Sequence, residues 1–419
     1  MFFFYWMIAI MPLDQHWLWG HAIVGDFTIV KAIGMLCFAI ALLRLMSGHS
    51  SPNFLLTKQA RWFLVFVLFQ CSSYFVHFGQ LAGPVGAYSH VFSVVTLFIT
   101  VLVLVDSPKR LHWSLLVAIG AVGFVSLYAI RQQHRYGAGS RPGGMFGDAN
   151  EYALVVGMWM PLAFLWALST RPKWERLLCF GCFGLALLGT TFAASRGGFL
   201  GLVASFGYLI WHSSHRVRHF AVVGGLLVPL VLLTPSSSLR RLEHPDFADN
   251  LAANARLTTW KAGLRMVQSH PLTGIGLGNF EAMVANYEPP HGLVISLCHN
   301  TYIEIAAELG VLAVAPFAAV LFTAYLSLGR VRRRLIRAQR DHEAMICLGM
   351  QAGIVSFAVS ACFVTAWWEK LLWLHLFLTM CIVRLSRSPN AEMTLGRRIE
   401  KQPRKREDQS ELAQCETMP

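Results

Sequence analysis

Charge is what this sequence has least of. Only 14% of its 419 residues are Asp, Glu, Lys or Arg, against about 25% in an ordinary soluble domain. It has no disulfide framework either. Of its nine cysteines, Cys37, Cys71, Cys179, Cys182, Cys347, Cys362 and Cys381 fall inside apolar runs, leaving Cys298 and Cys415 outside them. Cys179-x-x-Cys182 has metal-ligand spacing but no second pair and no polar surroundings, so it reads as two small helix-packing residues. No metal and no cofactor are expected. The opening Met1–Met11 has no basic n-region and no small-residue cleavage site before Asp14, which excludes a cleaved signal peptide and leaves a short or half-inserted first span. No internal repeat and no heptad pattern is present.

What the chain has instead is apolar length. Hydrophobic residues make up 55% of it, and they gather into runs near the roughly 20 residues that a helix needs to cross a bilayer. Twelve spans are expected, at about 1–19, 27–46, 61–77, 88–105, 112–130, 151–168, 177–194, 197–212, 219–234, 301–328, 344–365 and 370–384. Pro161, Pro229 and Pro316 lie within spans, where lipid-embedded helices tolerate them. The expected fold is therefore an all-α integral membrane protein with a large, partly helical loop between helices nine and ten.

The formal charge of +13 does not indicate nucleic acid, because most of the basic residues sit in short loops between apolar runs. Arg44, Lys58 and Arg61; Lys109 and Arg110; Arg171, Lys173 and Arg176; Arg216 and Arg218; and the run Arg330 to Arg340 all fall on one side. That side is cytoplasmic by the positive-inside rule, and both termini then lie inside. The tail from Arg384 onward is polar and reads as disordered.

Arginine on the other side runs against this bias. Arg131, Arg135, Arg240 and Arg241 have a simple reading as solvated or headgroup-contacting residues. Arg196 does not, since it stands between two apolar runs, where charge is expensive and marks a function. Arg256, Lys261 and Arg265 follow in the long loop. Guanidinium groups pair phosphate oxygens bidentately and stay charged, so a cluster of them at a membrane face suits a lipid diphosphate.

His299 supplies the second half of the chemistry. Thr301-x-x-Glu304 has the form of a capping box, which starts a helix near Thr301 and leaves His299 at its mouth. The positive end of the helix disfavours the imidazolium, keeping a neutral base near pH 7, and also welcomes phosphate. Gly274-x-Gly276-x-Gly278 is read as the turn ending an Ala255–Ser269 helix rather than a dinucleotide loop, because no strand precedes it. Asp148 or Asn150 is a plausible cap for the sixth span. Glu304 and Glu308 read as capping and packing residues, and nothing supports Cys298 as a nucleophile.

Four words carry a resemblance. They are Arg141-Pro-Gly-Gly-Met-Phe146-Gly-Asp-Ala-Asn150-Glu, Ser195-Arg196-Gly197, Arg256-x-x-x-Trp260 with His270-Pro-Leu-x-Gly-x-Gly, and His299-Asn300 with Gly310 nine residues further on. In order and spacing they resemble the O-antigen ligase and O-antigen polymerase superfamily of bacterial envelope glycosyltransferases. Ala313 departs from the ligase pattern, which puts the ligase branch in doubt but not the superfamily.

The resemblance implies a metal-independent transferase of the inner membrane. It would move a glycan from undecaprenyl diphosphate to a hydroxyl at the periplasmic face, amid membrane lipids and without nucleic acid. His299 matches the catalytic histidine; Arg196 and Arg256 match the arginines assigned to the diphosphate. Arg135, Arg141, Lys261, Arg265 and Asn300 are carried as further donor-binding candidates. The implied layout is a bundle over 1–234, a periplasmic catalytic loop over 235–300, further spans over 301–384 and a cytoplasmic tail over 385–419. Lipid A–core ranks first as acceptor, ahead of a growing polysaccharide and a protein hydroxyl. A lipid-glycan transporter would need ionisable residues along several spans and repeated halves, and neither is present.

Overall fold

The computed structural model describes residues 1–15, 28–48, 57–77, 84–137, 140–169, 171–212, 247–288 and 297–387. Every regular element among them is helical. In chain order these are α1 (Phe2–Ile10), α2 (Ile29–Met46), α3 (Lys58–Val76), α4 (Pro84–Leu104), α5 (Pro108–Tyr136), α6 (Ala149–Ala167) and α7 (Lys173–Ala193). They continue as α8 (Arg196–His212), α9 (Phe247–Ser269), α10 (Phe280–Tyr287), α11 (Thr301–Leu309), α12 (Val314–Arg337), α13 (Asp341–Ser360) and α14 (Lys370–Leu385). Local sequence sets the starts. Thr28, Thr57 and Ser107 each stand one residue before a helix and accept a backbone N–H from its first turn, and Pro108 follows at the position where a missing N–H costs nothing.

Six helices among the described residues are long and apolar enough to cross a membrane: Ile29–Met46, Ala87–Leu104, Pro108–Tyr136, Lys173–Ala193, Val311–Arg337 and Asp341–Ser360. The expected count of twelve is not reproduced, for separable reasons. Of the first segment, the nine residues of α1 and a 3-10 turn over Met11–Gln15 are helical, fewer than the roughly 20 residues of a full span, and 16–19 lie outside the described residues. The run at 219–234, Arg240, Arg241 and the tail beyond 387 lie outside the described residues. The expected span 301–328 is broken at Gly310 into the short α11 and the span that begins at Val311. Helices α3, α6, α8 and α14 do occupy expected spans, with 19, 19, 17 and 16 residues.

Two of those four are apolar for a different reason. Every residue of α6 except Glu151 is buried, as is every residue of α14 from Leu371 to Val383. They form the centre of the bundle, with α13, α7 and α8 packed on α6, and α4 and α12 on α14. Lipid gives helices no hydrophobic reason to associate, so close backbone approach matters more. A Cβ on Gly201 of α8 would collide with Ser360 of α13, and one on Gly353 of α13 with the Met158 carbonyl of α6.

The alternating helices give the bundle two unlike ends. One is basic. There Arg44 and Arg110 pair with Asp106, Arg384 donates to the carbonyls of Leu102 and Val105, and Arg332 to that of His212. Glu175, buried at the start of α7, is held at the same end by Arg171 (3.0 Å through both oxygens), by the Trp166 indole at 3.0 Å and by His112 at 3.2 Å. All the residues singled out for chemistry lie at or beyond the opposite end. Glu175→Ala leaves a guanidinium and an indole N–H without their acceptor. It is expected to cost about 3–5 kcal/mol, read as a lower melting temperature of the full-length protein in detergent.

Candidate functional site

Helix α9 and the segment after Leu297 build the site together. The Arg256-x-x-x-Trp260 spacing places both side chains on one face of α9, one turn apart. Trp260 Nε1 donates to the Cys298 carbonyl at 3.0 Å, and Thr259 Oγ1 to the same oxygen at 3.3 Å. The carbonyl just before His299 is thus clamped to α9. On the other side Asn300 Nδ2 donates to the Cys362 carbonyl and Thr301 N to that of Ala361. His299 between them has φ +52°, a left-handed conformation costing an L-residue roughly 1–2 kcal/mol. Anchors on both flanks impose it, and strain of this kind gathers at functional sites.

The electrostatics around His299 match what a base requires. Burial holds its pKa below the usual value, and the Arg256 guanidinium lowers it further; Asp148 partly offsets this and Arg141 adds to it. The imidazole is therefore neutral at pH 7, flanked by two guanidinium groups that stay charged.

Arg141 ties this cluster to Arg196. Its Nε donates to the Ala193 carbonyl at 3.3 Å and its Nη2 to Asn150 Oδ1 at 3.2 Å. Ser195 Oγ donates to the same Asn150 oxygen at 2.9 Å while accepting the Gly198 N–H. Two sequence words separated by some forty residues thereby meet through one amide. Asp148 is the cap of α6, accepting from the N–H groups of Asn150 and Glu151. Arg196 is exposed and opens α8, after a left-handed Ala194 that ends α7.

The start of α11 needs a correction. The helix begins at Thr301 as expected, but its cap is Asn300, whose Oδ1 accepts the N–H groups of Tyr302 and Ile303. Thr301 Oγ1 instead donates to the Val364 carbonyl and accepts the Ala366 N–H. Glu304 does not reach back to close a capping box. Its carboxyl accepts Thr365 Oγ1 at 2.6 Å, Trp367 Nε1 at 3.3 Å and Trp368 Nε1 at 3.4 Å. The segment 361–369 between α13 and α14, which carries no motif, is thus a wall of the site. The far end of α11 is closed by the glycine turn, where Ile275 and Gly276 donate to the carbonyls of Ala307 and Glu308. At Gly274, with φ +64°, a Cβ would strike the Glu308 carbonyl; only glycine fits.

The remaining expected residues lie further out. Arg265, nine residues from Arg256 and so about 14 Å along α9, is bound to Glu288 and to the Tyr287 carbonyl. Lys261 is exposed on the same helix, and Arg135 sits exposed at the end of α5 against the Tyr136 ring. Asn300 is engaged as a cap through its oxygen and as a tether through its nitrogen. The structure therefore gathers His299, Arg256, Arg141 and Asp148, joins Arg196 to them through Asn150 and Ser195, and leaves Arg265, Lys261 and Arg135 at the periphery.

Residues 181–318 match the family model of the O-antigen ligases. The resemblance read from the sequence is borne out over that stretch, which holds Arg196, Arg256 and His299. Arg141, Asp148 and the Thr365–Trp368 wall come from outside it. No curated protein matches the chain. Over about a third of its length the chain is thus similar to the ligase and polymerase type, and six of its described helices are long and apolar enough to cross a membrane.

The charges around His299 make opposed demands that can be separated. Arg256→Gln removes a neighbour that disfavours the imidazolium, so the His299 pKa should rise. Asp148→Asn keeps the cap but removes the group that favours the imidazolium, so the pKa should fall. The pH dependence of diethyl pyrocarbonate modification, differenced against His299→Gln, reads both; shifts in the same direction would show that neither charge acts on the ring.

Proposed function

We propose that the protein is an O-antigen ligase-type glycosyltransferase that moves a glycan from undecaprenyl diphosphate to a hydroxyl of lipid A–core. The observation that carries the reading is a half-buried, neutral histidine held in a strained backbone within the electrostatic reach of two guanidinium groups. The imidazole accepts a proton from the acceptor hydroxyl, and the hydroxyl oxygen bonds to the anomeric carbon as the bond from that carbon to the diphosphate breaks. Arg256, with Arg196 beside Arg141, holds the diphosphate and stabilises the charge that grows on it. A metal is not required in this scheme, because the guanidinium groups supply the positive charge. Both substrates are held by the membrane, so positioning accounts for much of the rate.

In this reading the basic end of the bundle is cytoplasmic by the positive-inside rule. Both termini lie there, and the site faces the periplasm from the inner membrane. Attack opposite the leaving diphosphate inverts the anomeric carbon. Lys261, Arg265 and Arg135, exposed around the site, steer the anionic donor rather than hold it. The same chemistry serves a growing polysaccharide or a protein hydroxyl as acceptor, and those are the alternatives that the experiment separates.

The test is transfer by purified full-length protein, without added metal, from undecaprenyl-diphosphate-linked glycan to lipid A–core. His299→Ala should lower kcat by about 10²–10⁴, and Arg256→Ala by about 10²–10³. Extension of the donor glycan with no product on lipid A–core would assign the polymerase branch. A product of retained anomeric configuration would overturn the single displacement, and full activity in His299→Ala would remove the base.

A further inference from the structure

Beside the His299 segment lies a cleft of about 320 Å³, at the small end of the roughly 300–1,000 Å³ typical of ligand sites. His90, Phe280, Leu297, Glu304, Glu308 and Trp368 form its walls. Leu297 places it two residues from His299. A second cavity of about 210 Å³ shares His90 and Trp368 with it and reaches Phe146, two residues from Asp148. The two share one wall, His90 and Trp368, and the 361–369 segment contributes to both.

The chemistry of the cleft is opposite to that of the arginine cluster. Glu281, Glu304 and Glu308 line it, with no Lys or Arg among the described lining residues. Glu304 is already engaged by Thr365, Trp367 and Trp368. Glu308 is only partly satisfied, the backbone N–H groups of Phe280 and Gly278 both acting on its carboxyl. It is 2% exposed; Oε1 accepts the Phe280 N–H at 3.1 Å, while Oε2 is buried with no hydrogen-bond partner among the described residues. A buried carboxyl oxygen without a donor costs free energy, and here it belongs to a residue lining a cavity.

We propose that this cleft is the acceptor subsite, in which Glu308 Oε2 takes a hydroxyl hydrogen from a neutral sugar ring of the acceptor. The proposal rests on the glycosyl-transfer reading for the words acceptor and donor. A pyranose has hydroxyls to donate at its rim and apolar C–H faces, for which Trp368 and Phe280 provide the walls. Burial, with Glu304 one turn away, pushes Glu308 up to about 8, so at neutral pH its carboxyl can donate as well as accept. A diphosphate finds no cation among the described residues that line the cleft; Lys31 and Lys370 line only the second cavity. The guanidinium cluster takes the anion and the acidic cleft takes the neutral sugar, with Leu297 of the His299 segment in its wall.

The test measures equilibrium binding to full-length protein in nanodiscs, with two probes: a dephosphorylated core oligosaccharide and undecaprenyl diphosphate. Glu308→Gln keeps the acceptor oxygen for the Phe280 N–H, and Ala87→Phe fills the cleft without touching either carboxyl. Both should weaken the oligosaccharide by roughly ten- to a hundredfold and leave the diphosphate unchanged, whereas Arg256→Ala should do the reverse. Oligosaccharide binding that is absent in the wild type, or unchanged in both cleft variants, overturns the subsite even if glycan transfer is intact. Weakened diphosphate binding in Glu308→Gln overturns it as well. Cleft-dependent binding by a wild type that transfers no glycan would support the saccharide site and overturn the transferase.

Discussion

The site depends on one buried carboxyl. Glu304 stands in the first turn of α11, and its oxygens accept Thr365, Trp367 and Trp368 from the segment before α14. Two indoles and a hydroxyl converging on one side chain fix α11 to the centre of the bundle, since α14 beyond them is buried along nearly its whole length. Asn300 and Thr301 add bonds to the same segment. His299 is the next residue back along the chain. Its left-handed backbone persists because the residues after it are bolted to α14 and the carbonyl before it is clamped to α9. Remove the bond set on either side and nothing obliges the histidine to keep a costly conformation.

Much of this could be read in advance, for local reasons. An arginine and a tryptophan four apart must share a helix face, so Arg256 and Trp260 were bound to address the same neighbour. Asp148 and Asn150 both offered a cap for α6, and Asp148 is the one used. Three glycines at alternate positions allow a turn that side chains would block, and Gly274 meets the end of α11 where a Cβ has no room.

What could not be read depends on partners distant in sequence. Asn300 and Thr301 both have capping side chains, and a shift of one residue decides which is used. The shift frees Thr301 and Glu304 to bond across to 361–369, so a local motif was displaced by a tertiary one. Thr365, Trp367 and Trp368 belong to no motif; only the fold shows what they hold. The count of twelve spans goes beyond the six long apolar helices among the described residues, and hydropathy alone does not settle it. Hydropathy registers that α6 and α14 are apolar, but a helix surrounded by other helices must be as apolar as one surrounded by lipid.

On the proposed function, the separation of charge at the site follows from what a transfer between two lipid-held substrates demands. A single base must reach the acceptor hydroxyl while the leaving group departs from the far side of the same carbon. If both substrates were recognised by cations, the donor could occupy either place and block the reaction with its own diphosphate. On that reading, arginine on one side and a carboxyl cleft without cations on the other give each substrate a place that suits the other poorly. The cost is a set of buried acids beside a base that must stay neutral. Burial and Arg256 hold down the pKa of His299, while burial holds up that of Glu308. Each perturbation lowers the charge that its own group carries at neutral pH, and on the proposed function that leaves the arginines uncancelled for the diphosphate.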